Sequence, residues 1–349
     1  MRTMVGRRNR PTIEDVERMI EKDGAKGWEM AKDVLLKQET DNPQLKEALA
    51  YLTLIPDYFR PAIVSYCCEA VGGDPEITTP TGASLVLLAK AIGIHDDIID
   101  NVKRRNKHIT AYGKYGKEIA LILSDILLFK GFTLMRKNLE IGVPPETLSK
   151  ILETIDQIWC HEQSESEILE HQLRAKIDVL PEECLTKIKK RASEFEAITR
   201  VGAILGEATE RELELLAFYG RSIGIILILR DELADMLKFN VLKHRIKKES
   251  LPLPIIYALQ EAKARQKLVH LISQRKIEKM DLIKILKIAD TFGGIDYVVE
   301  LINEITDNIH QQIINFDCKE LVFLINALKV DEKELREFLT TSTNQLYFL

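Results

Sequence analysis

Apolar residues recur at helical spacing along almost the whole chain, and no alternating apolar–polar run bounded by tight-turn dipeptides interrupts them. The pattern predicts an all-α protein. Thr12, with Asp15 three residues on and VERMI following, is a capping pattern that opens the first helix. Proline and glycine then punctuate the chain. Pro56 and Pro61 bracket DYFR, and GGDPEITTPTG from Gly72 to Gly82 reads as a loop. GVPP from Gly142 to Pro145, Pro181, Pro252-Leu253-Pro254 and Gly293-Gly294 are further breaks. Between them lie helical segments of roughly 12 to 25 residues, the lengths of a helix bundle. No low-complexity linker and no repeat of solenoid period divides the chain. Residues 1–349 therefore read as a single domain, with 1–12 a flexible basic arm.

Composition narrows the partners. The chain has 349 residues, 46% of them hydrophobic, enough for a large core. Its 49 Lys and Arg against 54 Asp and Glu give a net charge of −5, which argues against nucleic acid. The opening MRTMVGRRNR is basic but lacks the apolar stretch of a secretory signal. No uninterrupted apolar run approaches a membrane span, so no integral membrane segment is expected. Five cysteines, an odd number without CxxC spacing, suit reduced thiols in the cytoplasm. The histidines show no ligand spacing for zinc.

Candidate chemistry lies in an internal echo. LVLLAKAIGIHDDIID (85–100) and RSIGIILILRDELAD (221–235) are both long apolar helices ending in an acidic cluster. Asp96 and Asp100 are four apart and share one helix face, and Asp231 and Asp235 repeat the spacing. Like charges there cost about 0.2–0.5 kcal/mol each in an isolated helix, and more when partly desolvated. Hard divalent cations compensate best. Mg²⁺ takes one or two carboxylates and completes its shell with water and phosphate oxygens. Two such clusters read as jaws for a magnesium–diphosphate complex, and Lys103, Arg104 and Arg105 beside the first supply cations for phosphate. A single cluster could be a solvated helix end; two with the same apolar lead-in, about 135 residues apart, point to a site.

With these residues in place, the chain resembles the trans-isoprenyl diphosphate synthases of the polyprenyl synthetase family, from about Phe59 to Ile309. HDDIID (95–100) resembles the family's first aspartate-rich motif and DELAD (231–235) the second. YGKYGKEIALILSDILL (112–128) is similar to the segment after the first motif, and EQSESEI (162–168) to a glutamine-bearing helix. KRASEF (190–195) stands where a Lys-Thr-Ala motif is usual. AILGEATERELELLAFYGRSIGI (203–225), KESLPLPIIYAL (248–259) and FGGIDYV (292–298) follow in the family's order. The resemblance implies an isoprenoid-synthase-type bundle of antiparallel helices around a deep central cavity, with the two acidic clusters facing each other at its mouth. It implies about three Mg²⁺ ions held with the diphosphate by Asp96, Asp97, Asp100, Asp231 and Asp235. An allylic prenyl diphosphate would ionise and be attacked by isopentenyl diphosphate. Asp96, Asp100, Lys190, Asp231 and Lys248 would carry the reaction. Arg60, Arg104, Arg105, Gln163, Lys190 and Lys248 would bind substrate. Leu88, Ala91 and Ile92 would line the chain-length pocket; Ala91 and Ile92, small and medium, predict acceptance of about C15 to C20 or longer. A homodimer, or a heteromeric pairing, is implied as well.

Departures from the family cluster on one substrate. Its Gly-Lys-x-x-Arg segment aligns with Pro56-Asp57-Tyr58-Phe59-Arg60, so Arg60 is kept but Asp57 replaces a lysine. A histidine seven residues before the first aspartate becomes Ala89. The second arginine after the first motif falls on Asn106, or on Arg105 with a gap. Ile228 replaces a glutamine, and the second motif carries Glu232. An aspartate for a lysine reverses an interaction worth about 1–4 kcal/mol at surface-like dielectric. Three readings stay open: a chain-elongating synthase, a synthase-like terpene cyclase or lyase, and a non-catalytic or helper subunit. Elongation leads as the commonest activity on this scaffold. His95 reads as a local hydrogen-bond partner. The basic run Lys243, His244, Arg245, Lys247 and Lys248 reads as a solvated loop or a lid. Trp28 and Trp159 read as packing residues.

Overall fold

The computed structural model describes residues 11–105, 108–313, 316 and 318–330. Residues 1–10 of the expected basic arm, and Asn106, lie outside the described residues. The helices are α1 (Ile13–Leu36), α2 (Pro43–Tyr51), α3 (Phe59–Ala70), α4 (Thr79–Ile99), α5 (Ala111–Met135), α6 (Lys137–Glu140) and α7 (Pro145–Thr154). A π-helical turn, Ile155–Cys160, leads into α8 (His161–Leu173), α9 (Pro181–Arg191), α10 (Ser193–Leu205), α11 (Glu210–Met236) and α12 (Phe239–Lys248). Then come α13 (Leu253–Ala258), α14 (Ala262–Ile272), α15 (Lys279–Thr291), α16 (Gly294–Ile313) and α17 (Lys319–Leu328). The fold is all-α. Its described strands are β1 (Arg104–Arg105) and β2 (His108–Ile109), antiparallel with Arg104 opposite Ile109. Two residues per strand are too few to leave an alternating pattern in the sequence.

Local chemistry explains several helix starts. Thr12 and Asp15 form the expected reciprocal cap on α1. Asn42 caps α2 ahead of Pro43, and the Thr110 hydroxyl accepts from the Gly113 N–H to start α5. Proline proved less disruptive than its sequence positions suggest. Only Gly72–Asp74 of the expected loop is irregular; Pro75–Thr78 is a 3₁₀ turn, and α4 begins at Thr79. Pro80 and Pro61 both lie in first turns, where a missing N–H costs nothing.

The described residues cluster into two compact units. One takes those in Met1–Ser149, Val201–Leu213 and Ile313–Leu328; the other takes Lys150–Arg200, Glu214–Gln312 and the short end after Leu328. In the first unit α4 is the central helix. It is buried without a break from Pro80 to Leu88, and packs on α1, α3 and α5. Glycines permit this closeness. A Cβ on Gly82 of α4 would sit 2.9 Å from the Pro61 Cα of α3, and one on Gly131 of α5 would sit 2.7 Å from Leu88. The segment Pro75–Ile99 is, by length and composition, apolar enough to cross a membrane, which the sequence reading had not granted. Within the fold, 72% of its apolar window is buried, as befits a core helix. In the second unit α8 packs on α9, and α13 on α15 and α9.

Candidate active site

Helix α4 delivers the first acidic cluster and then stops. Asp100 is its C-cap, with its N–H on the Asp96 carbonyl at 2.9 Å. Asn101 takes a left-handed φ of 56°. The Val102 N–H closes on the Asp97 carbonyl at 2.8 Å and the Asn101 N–H on Ile98 at 3.3 Å, a Schellman closure with asparagine in the glycine place. Tyr112 fixes that asparagine through a 2.7 Å bond to its side chain. The carboxylates thus crowd the negative end of the helix dipole, where cations are favoured. Asp96 and Asp97 are buried and Asp100 is half-buried. Arg105, on the hairpin just beyond, donates to Asp97 at 2.7 Å. Burial nonetheless pushes the Asp97 carboxyl up, because Arg105 only partly offsets it and Asp100 adds repulsion.

The second cluster ends α11. Asp231 is exposed and Asp235 half-buried, the latter 3.2 Å from Lys238. Surrounding protein and the Asp235 charge raise Asp231, against Arg191, Arg230 and Lys238 nearby. Glu232 turns the other way. It is buried, accepts from Arg245 at 2.8 Å and from the Leu253 N–H at 3.0 Å. Beside it, Lys187 bonds Glu170 and Ser250, both at 2.8 Å. Glu170 also accepts from the Ser250 N–H at 2.6 Å. Burial would raise Glu170, but the Lys187 ammonium and the Ser250 bonds outweigh it and hold the carboxyl at about 2. This network corrects the picture of the basic run. Residues 243–248 are helix rather than loop, Arg245 is buried on Glu232, and Lys247 donates to the Ile272 and Gln274 carbonyls. Lys248 stays exposed at the helix end.

The remaining candidates divide between these regions. Lys190, in the last turn of α9, turns to Glu165 on α8, and the buried Gln163 amide lies 3.4 Å from Glu167. Arg104 is exposed on β1. Leu88 and Ala91 are fully buried and Ile92 half-buried. His95 meets the Ser124 hydroxyl at 2.9 Å, the local partner expected of it. Arg60, at the start of α3, is ion-paired with Asp57.

A family model for polyprenyl synthetases matches residues 42–289, well over half of the chain. The chain belongs to the polyprenyl synthetase family. It is therefore a member of a prenyltransferase family of isoprenoid biosynthesis. It is 27% identical over 246 residues to a short chain isoprenyl diphosphate synthase of Methanothermobacter thermautotrophicus, covering 68% of this chain and 74% of that protein. It is 29% identical over 198 residues to a geranylgeranyl diphosphate synthase of Sulfolobus acidocaldarius, 56% of this chain and 59% of that one. The crystal structure of a geranylgeranyl pyrophosphate synthetase from Pyrococcus horikoshii superposes with a TM-score of 0.81 at 23% identity, covering 91% of this chain and 99% of that one. That likeness carries the fold.

Within this family frame three residues stand out, two of which, Arg191 and Lys90, the sequence alone did not single out. Arg191 takes the middle place of the Lys-Thr-Ala-like motif and is the α9 cation whose charge acts on Asp231. Glu232, an apparent change in the second motif, serves the buried network. Lys90 lies in α4 beside Asp57 and Arg60. Its signal was visible: it is the lone charge in the run LVLLAKAIG.

Proposed function

We propose that the chain is a Mg²⁺-dependent prenyltransferase that ionises an allylic prenyl diphosphate and condenses the cation with isopentenyl diphosphate. The observation that carries this is the end of α4. Three carboxylates crowd a helix C-terminus, two of them buried, and the cation that meets Asp97 is the solvent-exposed Arg105. Among the described residues no three such groups form a ready metal cage. Mg²⁺ takes one or two carboxylates and leaves the rest of its shell to water and phosphate. Asp96, Asp97 and Asp100 would hold ions from the first cluster, and Asp231 with Asp235 from the second. Bound there with diphosphate, Mg²⁺ would supply Lewis-acid neutralisation of the leaving group. Arg105, swinging from Asp97, with Lys190, Arg191 and Lys248, would take the remaining phosphate charge. The apolar face of α4, at Leu88, Ala91 and Ile92, would keep water from the hydrocarbon chain.

On α5, Ile122, Phe129 and Phe132 are exposed, Phe129 by 76%, and suit a homodimer through this helix. The cysteines are all free thiols and four are buried, in keeping with a reducing cytoplasm. Asp57, standing in place of a lysine, supports a second reading, a cyclase-like enzyme that ionises its substrate without condensation.

Purified protein, Mg²⁺, labelled isopentenyl diphosphate and each allylic diphosphate from C5 to C20 separate the readings. Products would be analysed before and after phosphatase treatment. Longer prenyl diphosphates are expected. Hydrocarbons or alcohols without isopentenyl incorporation would replace elongation by cyclisation or lysis, and no turnover would point to a helper subunit.

A further inference from the structure

One guanidinium in the second unit ties four helices together. Arg221 lies in α11, ten residues before Asp231 on the same helix. Its Nη1 and Nη2 grip the Glu162 carboxylate of α8 at 2.7 and 2.9 Å. Its Nε donates to Glu196 of α10 at 2.6 Å, and Nη1 also reaches the Lys189 carbonyl of α9 at 2.7 Å. That carbonyl belongs to the last turn of α9, where a helix end leaves carbonyls without an intrahelical partner. Arg221 therefore caps α9 from a different helix. Burial disfavours its charge, but the bonds to Glu162 and the Glu196 carboxylate outweigh burial and hold the guanidinium above its ordinary value.

The points that this clamp grips adjoin the candidate site. Glu162 precedes Gln163, and Lys189 precedes Lys190 and Arg191. Lys190 turns to Glu165 on α8, and the Arg191 charge acts on Asp231. The clamp is fastened one residue short of the α9 cations and anchored on the helix that carries the second acidic cluster. Arg200 belongs to the same network, bonded to Glu196 at 2.8 Å and to Glu214 at 2.9 Å. Its side chain is 18% exposed against 21% for Arg221, so the two are equally enclosed. Its bonds run to α10 and α11, and among the described residues to neither α8 nor α9.

We infer that Arg221 is a positioning residue: by tying Glu162 and the Lys189 carbonyl to α11, it sets the cations Lys190 and Arg191 against the acidic cluster at Asp231. This rests on the condensation reading above, in which those groups meet one diphosphate. Arginine suits the task because its planar fork serves three acceptors at fixed angles. A lysine there would keep the charge and lose the fork. Arg221 makes and breaks no bond in the reaction; it acts through the α9 cations, whose distance from Asp231 it fixes.

Two charge-conserving variants of the full chain test the inference. Arg221→Lys should lower kcat/KM for the allylic diphosphate about 10- to 100-fold, the scale set by a small misplacement of binding groups. Arg200→Lys should stay within about twofold of wild type, although its urea midpoint falls as far as that of Arg221→Lys. Equal kinetic losses in the two variants would overturn the inference, because the network would then supply rigidity alone. No loss in Arg221→Lys would overturn it as well. Calorimetry with Mg²⁺ and inorganic pyrophosphate gives a second readout that needs no turnover. Arg221→Lys should bind about tenfold more weakly than wild type, and Arg200→Lys as tightly as wild type. Where wild type binds pyrophosphate but does not condense, that pattern upholds the positioning role though the reaction differs. Equal affinity in all three proteins would overturn the inference and leave the condensation reading intact. No binding by wild type would remove the diphosphate site and the inference with it.

Discussion

The helices that carry the two acidic clusters end alike in sequence, HDDIID on α4 and RDELAD on α11. Their second acids, Asp97 and Glu232, are both buried. Their partners differ. Asp97 is met by Arg105, whose side chain is 55% exposed; Glu232 is met by Arg245, only 10% exposed, and by the Leu253 N–H. The outcome is opposite. Burial pushes Asp97 up, whereas at Glu232 the Arg245 and Lys187 charges and the Leu253 N–H overcome burial and push it down. A carboxylate left short of counter-charge, beneath a cation that can swing away, is open to a metal or a charged ligand. One saturated within the core is a structural member. The same letters thus yield a ligand candidate in one cluster and a scaffold in the other.

The contrast breaks most sharply on activity. Asp96→Ala should lower condensation by about 10³-fold or more, the scale of several kcal/mol of lost charge stabilisation. Its unfolding free energy should fall by no more than about 1 kcal/mol. Labelled-product assays and urea titration on the same preparation read both. A fully active Asp96→Ala would remove the first cluster from the chemistry.

Glu232→Gln should do the reverse. Leaving Arg245 buried without its anion costs about 3–5 kcal/mol of stability, seen as a lower urea midpoint. An unchanged midpoint would mean that the second cluster is as open as the first.

Glu170 sharpens the same point through pH. Its folded carboxyl sits near 2, below the ordinary glutamate value, so the unfolded chain binds the proton more readily as pH falls. Its stabilisation is complete above about pH 4.5 and is lost on descent to about pH 2, on the order of 3 kcal/mol. Glu170→Gln should flatten unfolding free energy over that window. An equal slope in both proteins would exclude Glu170 as its source.

The smallest effect falls on the exposed partner. Arg105→Ala should raise KM for the allylic diphosphate about tenfold and leave the melting temperature nearly unchanged, since an exposed pair adds little stability. A large fall in melting temperature would make Arg105 a structural mate of Asp97, like Arg245 for Glu232.

Much of this was legible in the sequence. Helical periodicity and the Thr12–Asp15 cap are local, and the fold carries both. The spacing of Asp96 and Asp100 survives as one closing turn of α4. The loop expected over Gly72–Gly82 was misread because proline breaks a helix interior but suits a first turn, and sequence alone does not say which applies. The basic run at 243–248 looked solvated because its charges are close together in the chain. Its partners, Glu232 and the Ile272 and Gln274 carbonyls, are not.

By itself the sequence determined what depends on neighbours within a turn or two: that the chain is helical, where the first helix begins, and that two apolar helices end in acid. Only the tertiary structure decided which charges answer one another. Lys90 and Arg60 are 30 residues apart, and Lys187 and Ser250 are 63 apart. Desolvation and Coulomb attraction act through space, so a charge acquires its role only when packing fixes what surrounds it.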